Sequence, residues 1–212
     1  MEFRLTYQGL LLATQKDPLS GQADARAEHK RDIRRKFHLQ LKRLWDINPY
    51  LKHGYPVEFD CTSSSNPKTA KSYHTTIAEW LAPKYHRNGY NFVPLVRSNL
   101  ALLCHLNILF LRPDTPGNVL ASGDIDNRLK TLFDALRLPQ GNNELTLYAK
   151  PSADEEPFFC LLEDDSLISK VSVETDVMLE PTDGRIDKND ARLVIGVTIR
   201  PYIISPANES FA

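Results

Sequence analysis

The 212-residue sequence predicts an α+β fold in which a mixed sheet packs on helices. Strand-like runs occur near both ends of the chain and in its middle, and two segments have the apolar spacing of amphipathic helices. Strands and helices are mixed with short connections and without an internal repeat, which favours α+β over a regular βαβ fold. We expect one domain over residues 1–212, with an elaborating insertion at about 47–98 and a hairpin-like insertion at about 139–162.

The first two elements are a strand and a long helix. Residues 3–7 alternate apolar and polar side chains, as a half-buried strand does. Residues 23–46 contain neither Gly nor Pro, and their apolar side chains recur every three or four positions: Ile33, Phe37, Leu41 and Leu44. This spacing predicts an amphipathic helix that ends at Asn48-Pro49, because the residue before a proline disfavours helical backbone angles.

The second half of the chain contains a buried strand, a second helix and further strands. Residues 100–111 are almost continuously apolar, which is typical of a central strand covered on both faces. Residues 126–137 predict a helix whose inward stripe is Leu129, Leu132, Phe133 and Leu136. Four further runs are strand-like: 145–148 and 158–162, which we expect to form the hairpin, then 168–173 and 192–201.

Composition excludes several classes of protein. The three cysteines, Cys61, Cys104 and Cys160, are far apart and form no C-x-x-C pair, so neither a zinc site nor a disulfide framework is indicated. No apolar run reaches the roughly 20 residues of a membrane span, and the N-terminus lacks the pattern of a secretory signal. We therefore expect a cytoplasmic protein with no membrane partner.

Charge is distributed unevenly along the chain. The formal net charge is only −1, but basic residues concentrate between Arg26 and Arg43, whereas acidic residues dominate from Asp154 to Asp187. This asymmetry indicates one face for an anionic partner and another for cations. A solvated basic helix face without a partner is the alternative interpretation.

Two acidic groups carry the strongest functional signal. Asp124 and Asp126 open the second helix, where the positive end of the helix dipole stabilises carboxylates. Asp165 precedes a predicted strand and can meet them across a sheet edge. Carboxylate oxygens are the ligands that Mg²⁺ prefers, and a bound metal ion can activate water and hold a scissile phosphate. Lys130, one helical turn beyond Asp126, would offset negative charge in the transition state.

An alternative interpretation of these residues is purely structural. Asp124 or Asp126 could cap the helix, Lys130 could pair with Asp134 one turn away, and the acidic run before the strand could be a solvated turn.

The same residues resemble a known family. Three segments are similar in residues and in order to the RusA family of Holliday junction resolvases: Asp124-x-Asp126-Asn127-x-Leu129-Lys130, Phe133-Asp134-Ala135-Leu136 and Asp164-Asp165-Ser166-x-Ile168. The resemblance covers about residues 100–176. Members of that family are small α+β homodimeric endonucleases that use Mg²⁺ to cut four-way DNA junctions.

The resemblance implies a RusA-like fold, a homodimer, branched DNA as the substrate, and Mg²⁺ as the cofactor, with Mn²⁺ as a substitute. It also implies a role in DNA recombination or repair. By the same resemblance Asp124, Asp126 and Asp165 would be metal-binding catalytic residues and Lys130 the catalytic lysine. Asn127 and Asp164 would support them.

The leading hypothesis is therefore a Mg²⁺-dependent structure-specific DNA endonuclease, in which a metal-activated water attacks a phosphodiester. Four side chains of the basic helix are the predicted DNA contacts: Arg31, Arg34, Arg35 and Lys42. Two alternatives stay open. One is a binding module with the same fold that recognises DNA or a protein without cutting, and the other is a metal-dependent hydrolase of nucleotides or RNA.

Overall fold

A computed structural model of the chain describes residues 1–13, 27–54, 75–113, 124–141, 144, 150–179 and 187–212, and for Asp124 the backbone alone. In chain order the elements are β1 (Glu2–Leu10), α1 (Ala27–Ile47), α2 (Pro49–His53), α3 (Ile77–Leu81), β2 (His86–Arg87), β3 (Tyr90–Val96), β4 (Leu102–Arg112), α4 (Asp124–Leu136), β5 (Phe158–Leu162), β6 (Ile168–Val177) and β7 (Asp190–Pro201). The α+β class is confirmed.

The central sheet has four strands in the order β1-β7-β4-β6. β7 runs antiparallel to both β1 and β4, whereas β4 and β6 are parallel, so the sheet is mixed as the sequence predicts. The apolar run at 100–111 becomes β4, which is flanked on both sides. Its even-numbered side chains, including Leu106, Ile108 and Phe110, are buried in the core. Its odd-numbered side chains lie on the opposite face of the sheet, because successive strand residues point to opposite sides.

Helix α1 covers the buried face of this sheet. Ile33, Phe37, Leu41 and Trp45 are at most 4% exposed and join the sheet residues in one apolar cluster. Full burial of such a side chain contributes about 1.5–3 kcal/mol relative to exposure. The helix ends at Ile47, and the Asn48 side chain then caps α2 by accepting a hydrogen bond from the Leu51 amide. The predicted boundary is therefore accurate at this end, and residues 23–26 lie outside the described part.

Helix α4 lies between the parallel strands β4 and β6 in the chain. Parallel neighbours require a crossover connection, and α4 forms part of it. Leu132, Ala135 and Leu136 are buried in the same apolar cluster as α1. The helix therefore packs on the same face of the sheet as α1, and its two ends lie near opposite ends of the strands.

Strands β2 and β3 of the predicted insertion form a second, three-stranded sheet with β5. β3 pairs with β2 antiparallel and with β5 parallel, Phe92 lying opposite Phe158. The 158–162 segment therefore pairs with β3. Its predicted hairpin partner, residues 145–148, lies outside the described residues, so the hairpin stays a prediction. All five residues of β5 are buried, as expected for a strand covered on both faces. Within the region predicted to be an insertion, Val93, Leu95 and Val96 of β3 belong to the main core.

Candidate functional site

The first half of α4 presents two of the predicted site residues to solvent. Asp126 and Lys130 are both exposed, and residues four apart on a helix lie on the same side. Within the described residues neither forms a salt bridge. Asp134 pairs with Lys30 and Arg137 instead of Lys130, so the alternative in which Lys130 pairs with Asp134 is wrong. Asn127 is half-buried beside them. The side chain of Asp124 is outside the described part of the structure.

This end of α4 is held in place by a buried arginine. Arg128 is 3% exposed and donates hydrogen bonds to the Lys188 carbonyl (3.4 Å) and to Oδ1 of Asn189 (3.2 Å). Both acceptors belong to the turn that precedes β7. The helix start is thereby fixed to the central sheet, which gives Asp126 and Lys130 a defined position.

The C-terminal end of α4 carries a buried ion-pair cluster, formed by Lys30, Arg34, Asp134, Arg137 and Glu144. The Asp134 carboxylate lies 2.8 Å from both Lys30 Nζ and Arg137 Nη2. Glu144 accepts from Arg137 at 2.9 Å and from Arg34 at 3.2 Å. Arg34 also donates to the backbone carbonyl of Asp134 at 2.7 Å. The cluster joins α1 to α4, and each charge in it is paired.

The pKa values of the two arginines in the cluster shift in opposite directions. Burial lowers the pKa of Arg34, and the charge of Glu144 only partly opposes this. For Arg137 burial also acts downward, but hydrogen bonding and charge from Glu144, together with the charges of Asp134 and Asp165, outweigh it and raise the pKa. A guanidinium with a raised pKa remains charged, so Arg137 keeps its ion pairs with Asp134 and Glu144.

Glu163 and Asp164, the first two acids of the run before β6, have their oxygens occupied by hydrogen bonds. Glu163 accepts from the backbone amide and the hydroxyl of Ser98, both at 2.8 Å, and from the Tyr85 hydroxyl at 3.2 Å. Asp164 accepts from the Ser166 amide at 2.9 Å and from Gln140 at 2.5 Å. Hydrogen bonds from the side chain and then the backbone of Ser166 lower the pKa of Asp164.

Asp165 remains more open than its neighbours. Its side chain is 52% exposed, and its salt bridge is the long contact of 3.9 Å to Arg137 Nε. It lies on a short 3-10 turn, Asp165–Leu167, directly before β6. Among the three acids of this run it has the most unused coordination capacity.

The described residues do not gather the predicted carboxylates at one point. At 1.5 Å of rise per residue, the Cα atoms of Asp126 and Arg137 are about 16 Å apart along the helix. Asp165 lies beside Arg137, so Asp126 and Asp165 lie towards opposite ends of α4. No group of three or more His, Cys, Asp or Glu side chains suited to a metal ion occurs in the described part of the chain. Oxygen donors of the kind that Mg²⁺ prefers are present at both ends, and a site shared by all three aspartates stays a prediction.

One of the predicted DNA contacts is wrong because of burial. Arg34 is 2% exposed and is bound within the ion-pair cluster, so it cannot meet a phosphate at the surface. Part of the basic side of α1 is therefore buried in the protein interior. Lys30, Arg34 and His38 recur every four residues beside the apolar stripe and are all buried.

The other three predicted contacts bond to neighbouring parts of the chain: Arg31 to the Tyr90 hydroxyl at 3.5 Å, Arg35 to Glu155 at 2.7 Å, and Lys42 to the Asp154 carbonyl at 2.9 Å. Arg35 keeps a side chain that is 49% exposed. Arg35 and Lys42 therefore attach α1 to the segment before β5, and Arg31 attaches it to β3. A phosphate would have to compete with those contacts.

Sequence reasoning did not find the interior role of Lys30 and His38. The His38 ring accepts a hydrogen bond from the Phe159 amide at 2.9 Å and stacks on Phe158 at 4.4 Å between centroids. Burial lowers its pKa, and hydrogen bonds to Asp154 and Phe159 only partly oppose this. The four-residue spacing of Lys30, Arg34 and His38 was the available signal, because it places them on one helix side next to the core stripe.

Among the residues that the structure describes, there is no helix both long and apolar enough to cross a bilayer. Comparison of the chain with known protein families, with curated proteins and with solved structures found no match.

Proposed function

We propose that the protein is a Mg²⁺-dependent, structure-specific DNA endonuclease that cleaves branched DNA. One observation carries the proposal. Asp126 and Asp165 keep exposed carboxylates, whereas Glu163, Asp164 and Asp134 around them are saturated by hydrogen bonds and ion pairs. A metal ligand needs free oxygen lone pairs, and these two aspartates have them.

The proposed roles come from the RusA resemblance, and the exposure of Asp126, Lys130 and Asp165 supports them. Asp124, Asp126 and Asp165 would hold the metal ion, and the positive end of the α4 dipole favours negative charge in the first turn. Lys130, exposed one turn from Asp126, would offset the charge that develops on the phosphoryl oxygens. A bound Mg²⁺ would supply Lewis-acid activation of the attacking water. Asn127, half-buried at the same end, would orient the neighbouring carboxylates.

The proposal includes a homodimer, as the RusA resemblance implies, because two coordinated nicks in a junction need two sites. A dimer also offers a second geometry: Asp165 of one copy can complete the site that contains Asp126 of the other. Mixing inactive Asp126→Asn and Asp165→Asn proteins distinguishes the two arrangements. Activity that returns on mixing indicates a site shared between copies, and activity that stays absent indicates sites within single chains.

The decisive experiment is a cleavage panel of four-way, three-way, flap and linear DNAs, with and without Mg²⁺. We expect the wild-type protein to cut branched DNA only with the metal, and Asp126→Asn to abolish cutting while it binds DNA as well or more tightly, since a negative charge has been removed. Asp46→Asn is the matched control, because Asp46 is an exposed aspartate on α1. A wild-type protein that cuts no DNA of the panel with Mg²⁺ or Mn²⁺ would disprove the proposal.

A second candidate function is a DNA- or protein-binding module that does not cut. It is favoured by the separation of Asp126 from Asp165 along α4 and by the lack of a three-ligand group in the described part of the chain. A gel shift in which the DNA stays intact under every metal condition would support this candidate over the endonuclease.

A further inference from the structure

The face of the central sheet opposite the helices contains a polar cavity of about 450 Å³. Side chains from all four strands line it, among them Arg4, His105, Asn107, Lys170, Thr198 and Arg200. Helices α1 and α4 belong to the apolar cluster on the other face. The cavity is therefore separate from the acidic residues of α4.

Strand register explains why these side chains meet. Arg4 and Asn107 both lie opposite Gly196, one from each side, so they share a row across the sheet. His105 lies between Thr198 and Lys170 in the next row. Gly196 lies at the floor of the cavity, where a Cβ would make an ordinary contact with the Asn107 carbonyl oxygen at 3.5 Å.

The cavity has an excess of positive charge. Arg4, Lys170 and Arg200 are exposed, and within the described residues none of them forms a salt bridge. The carboxylate in the lining, Glu2, accepts a hydrogen bond from the Thr198 hydroxyl at 3.3 Å. Three cations against one carboxylate leave a net positive charge in the lining, which attracts anions and raises their local concentration.

We propose that this cavity binds phosphate groups of a polynucleotide backbone. With neighbouring strands about 4.8 Å apart, Arg4 on β1 and Lys170 on β6 flank a surface about 14 Å wide. One strand of B-DNA carries a phosphate every 3.4 Å of helix axis, so a surface of this width faces more than one phosphate. Such a width fits a backbone better than a single free phosphate. The side-chain amide of Asn107 adds a hydrogen-bond donor between the cations.

The charge pattern also gives the binding surface a boundary. Glu174 and Asp176 lie on the same face of β6, farther along the strand than Lys170 and away from the cavity. The acidic end repels a backbone, which restricts it to the basic half of the face. A second copy of the chain, with its acidic end over this basic half, is the competing occupant that the test must exclude. The inference concerns binding and does not depend on the proposed cleavage.

The test measures fluorescence anisotropy of labelled 20-nucleotide single-stranded and duplex DNAs in EDTA, so that no cleavage contributes. We expect Arg4→Glu, Lys170→Glu and Arg200→Glu each to weaken binding on the order of tenfold, because each reversal places a negative charge against the backbone. The corresponding alanine variants should lower the salt slope of the affinity by about one. Lys52→Glu is the control, since Lys52 is 47% exposed on α2, and it should bind as the wild type does.

Three outcomes would overturn the inference. Charge-reversal variants that bind DNA like the wild type would exclude this face, whatever the cleavage panel shows. Tight binding of inorganic pyrophosphate that these variants abolish, with DNA affinity unchanged, would assign the cavity to free phosphate. Sedimentation that shows a dimer converted to monomer by the same variants, again with DNA affinity unchanged, would assign the face to a second copy. Unchanged circular dichroism of each variant excludes misfolding as the cause.

Discussion

Replacing Asp134 with alanine should destabilise the protein strongly, because its carboxylate neutralises two buried cations. Asp134 is 6% exposed and lies 2.8 Å from both Lys30 and Arg137, which are 4% and 8% exposed. Removing one partner of a buried ion pair costs about 3–5 kcal/mol, since the remaining charge stays desolvated. Arg137 keeps its contact to Glu144 at 2.9 Å, so we expect the lower end of this range, about 3 kcal/mol.

The assay is urea unfolding followed by circular dichroism, with scanning calorimetry beside it. For a domain of this length 1 kcal/mol corresponds to about 2–4 °C in Tm, so the melting temperature should fall by about 6–12 °C. Asp46→Ala is the matched control: Asp46 pairs with Arg43 and Lys52, but on the exposed side of α1. Solvent screens such pairs, and its replacement should change the unfolding midpoint very little.

The reasoning would be refuted if Asp134→Ala and Asp46→Ala had equal effects. A second test uses the double variant Lys30→Met with Asp134→Leu, in which both charges are removed together. Apolar replacement of a buried pair is often neutral or stabilising. The double variant should therefore be more stable than Asp134→Ala alone, and a further loss of stability would contradict the desolvation argument.

Three further predictions concern His38, Asn208 and Lys130. Burial holds the pKa of His38 below its usual value, so the unfolded chain binds a proton more readily than the folded chain. The contribution of the neutral His38 side chain to folding stability is therefore complete above about pH 6.5 and is lost as the pH falls. His38→Gln should flatten the curve of unfolding free energy against pH between pH 7 and 5, and an unchanged slope would contradict this. Asn208 is fully buried and makes three hydrogen bonds of 2.7–2.8 Å, so Asn208→Ala should cost about 2–4 kcal/mol in urea unfolding; a loss below 1 kcal/mol would show that water replaces these bonds. Lys130→Met should slow the proposed cleavage by about 10²–10³-fold with Tm unchanged, and Lys130→Arg should retain part of the rate; equal rates for wild type and Lys130→Met would remove Lys130 from the site.

The strands and helices with a clear apolar period were predictable from the sequence. The run at 100–111 is β4, the alternating segments are β1, β6 and β7, and the two apolar stripes are α1 and α4. In each case the local pattern is repeated over enough residues to decide between a period of two and one of 3.6. β5 has no such period, because all five of its residues are buried, and its pairing with β3 depends on residues about 65 positions away.

The candidate site was only partly predictable. The sequence indicated which acids to consider, but it does not show which of Glu163, Asp164 and Asp165 has carboxylate oxygens free of hydrogen bonds. The fold distinguishes them: Ser98 and Tyr85 occupy the oxygens of Glu163, whereas Asp165 stays exposed. These partners come from segments distant in sequence, and their hydrogen bonds exist only after folding.

By itself the sequence determined the α+β class, the central strand and the two amphipathic helices, because hydrophobic periodicity is a property of short segments. The tertiary structure alone decided which charged side chains are buried in ion pairs and which stay exposed. Lys30 and Arg34 resemble any surface cations until Asp134 and Glu144 approach them from other parts of the chain, and Arg4, Lys170 and Arg200 meet only through the register of β1, β6 and β7. Electrostatic environment depends on distances and burial across the whole fold, and no local pattern encodes either.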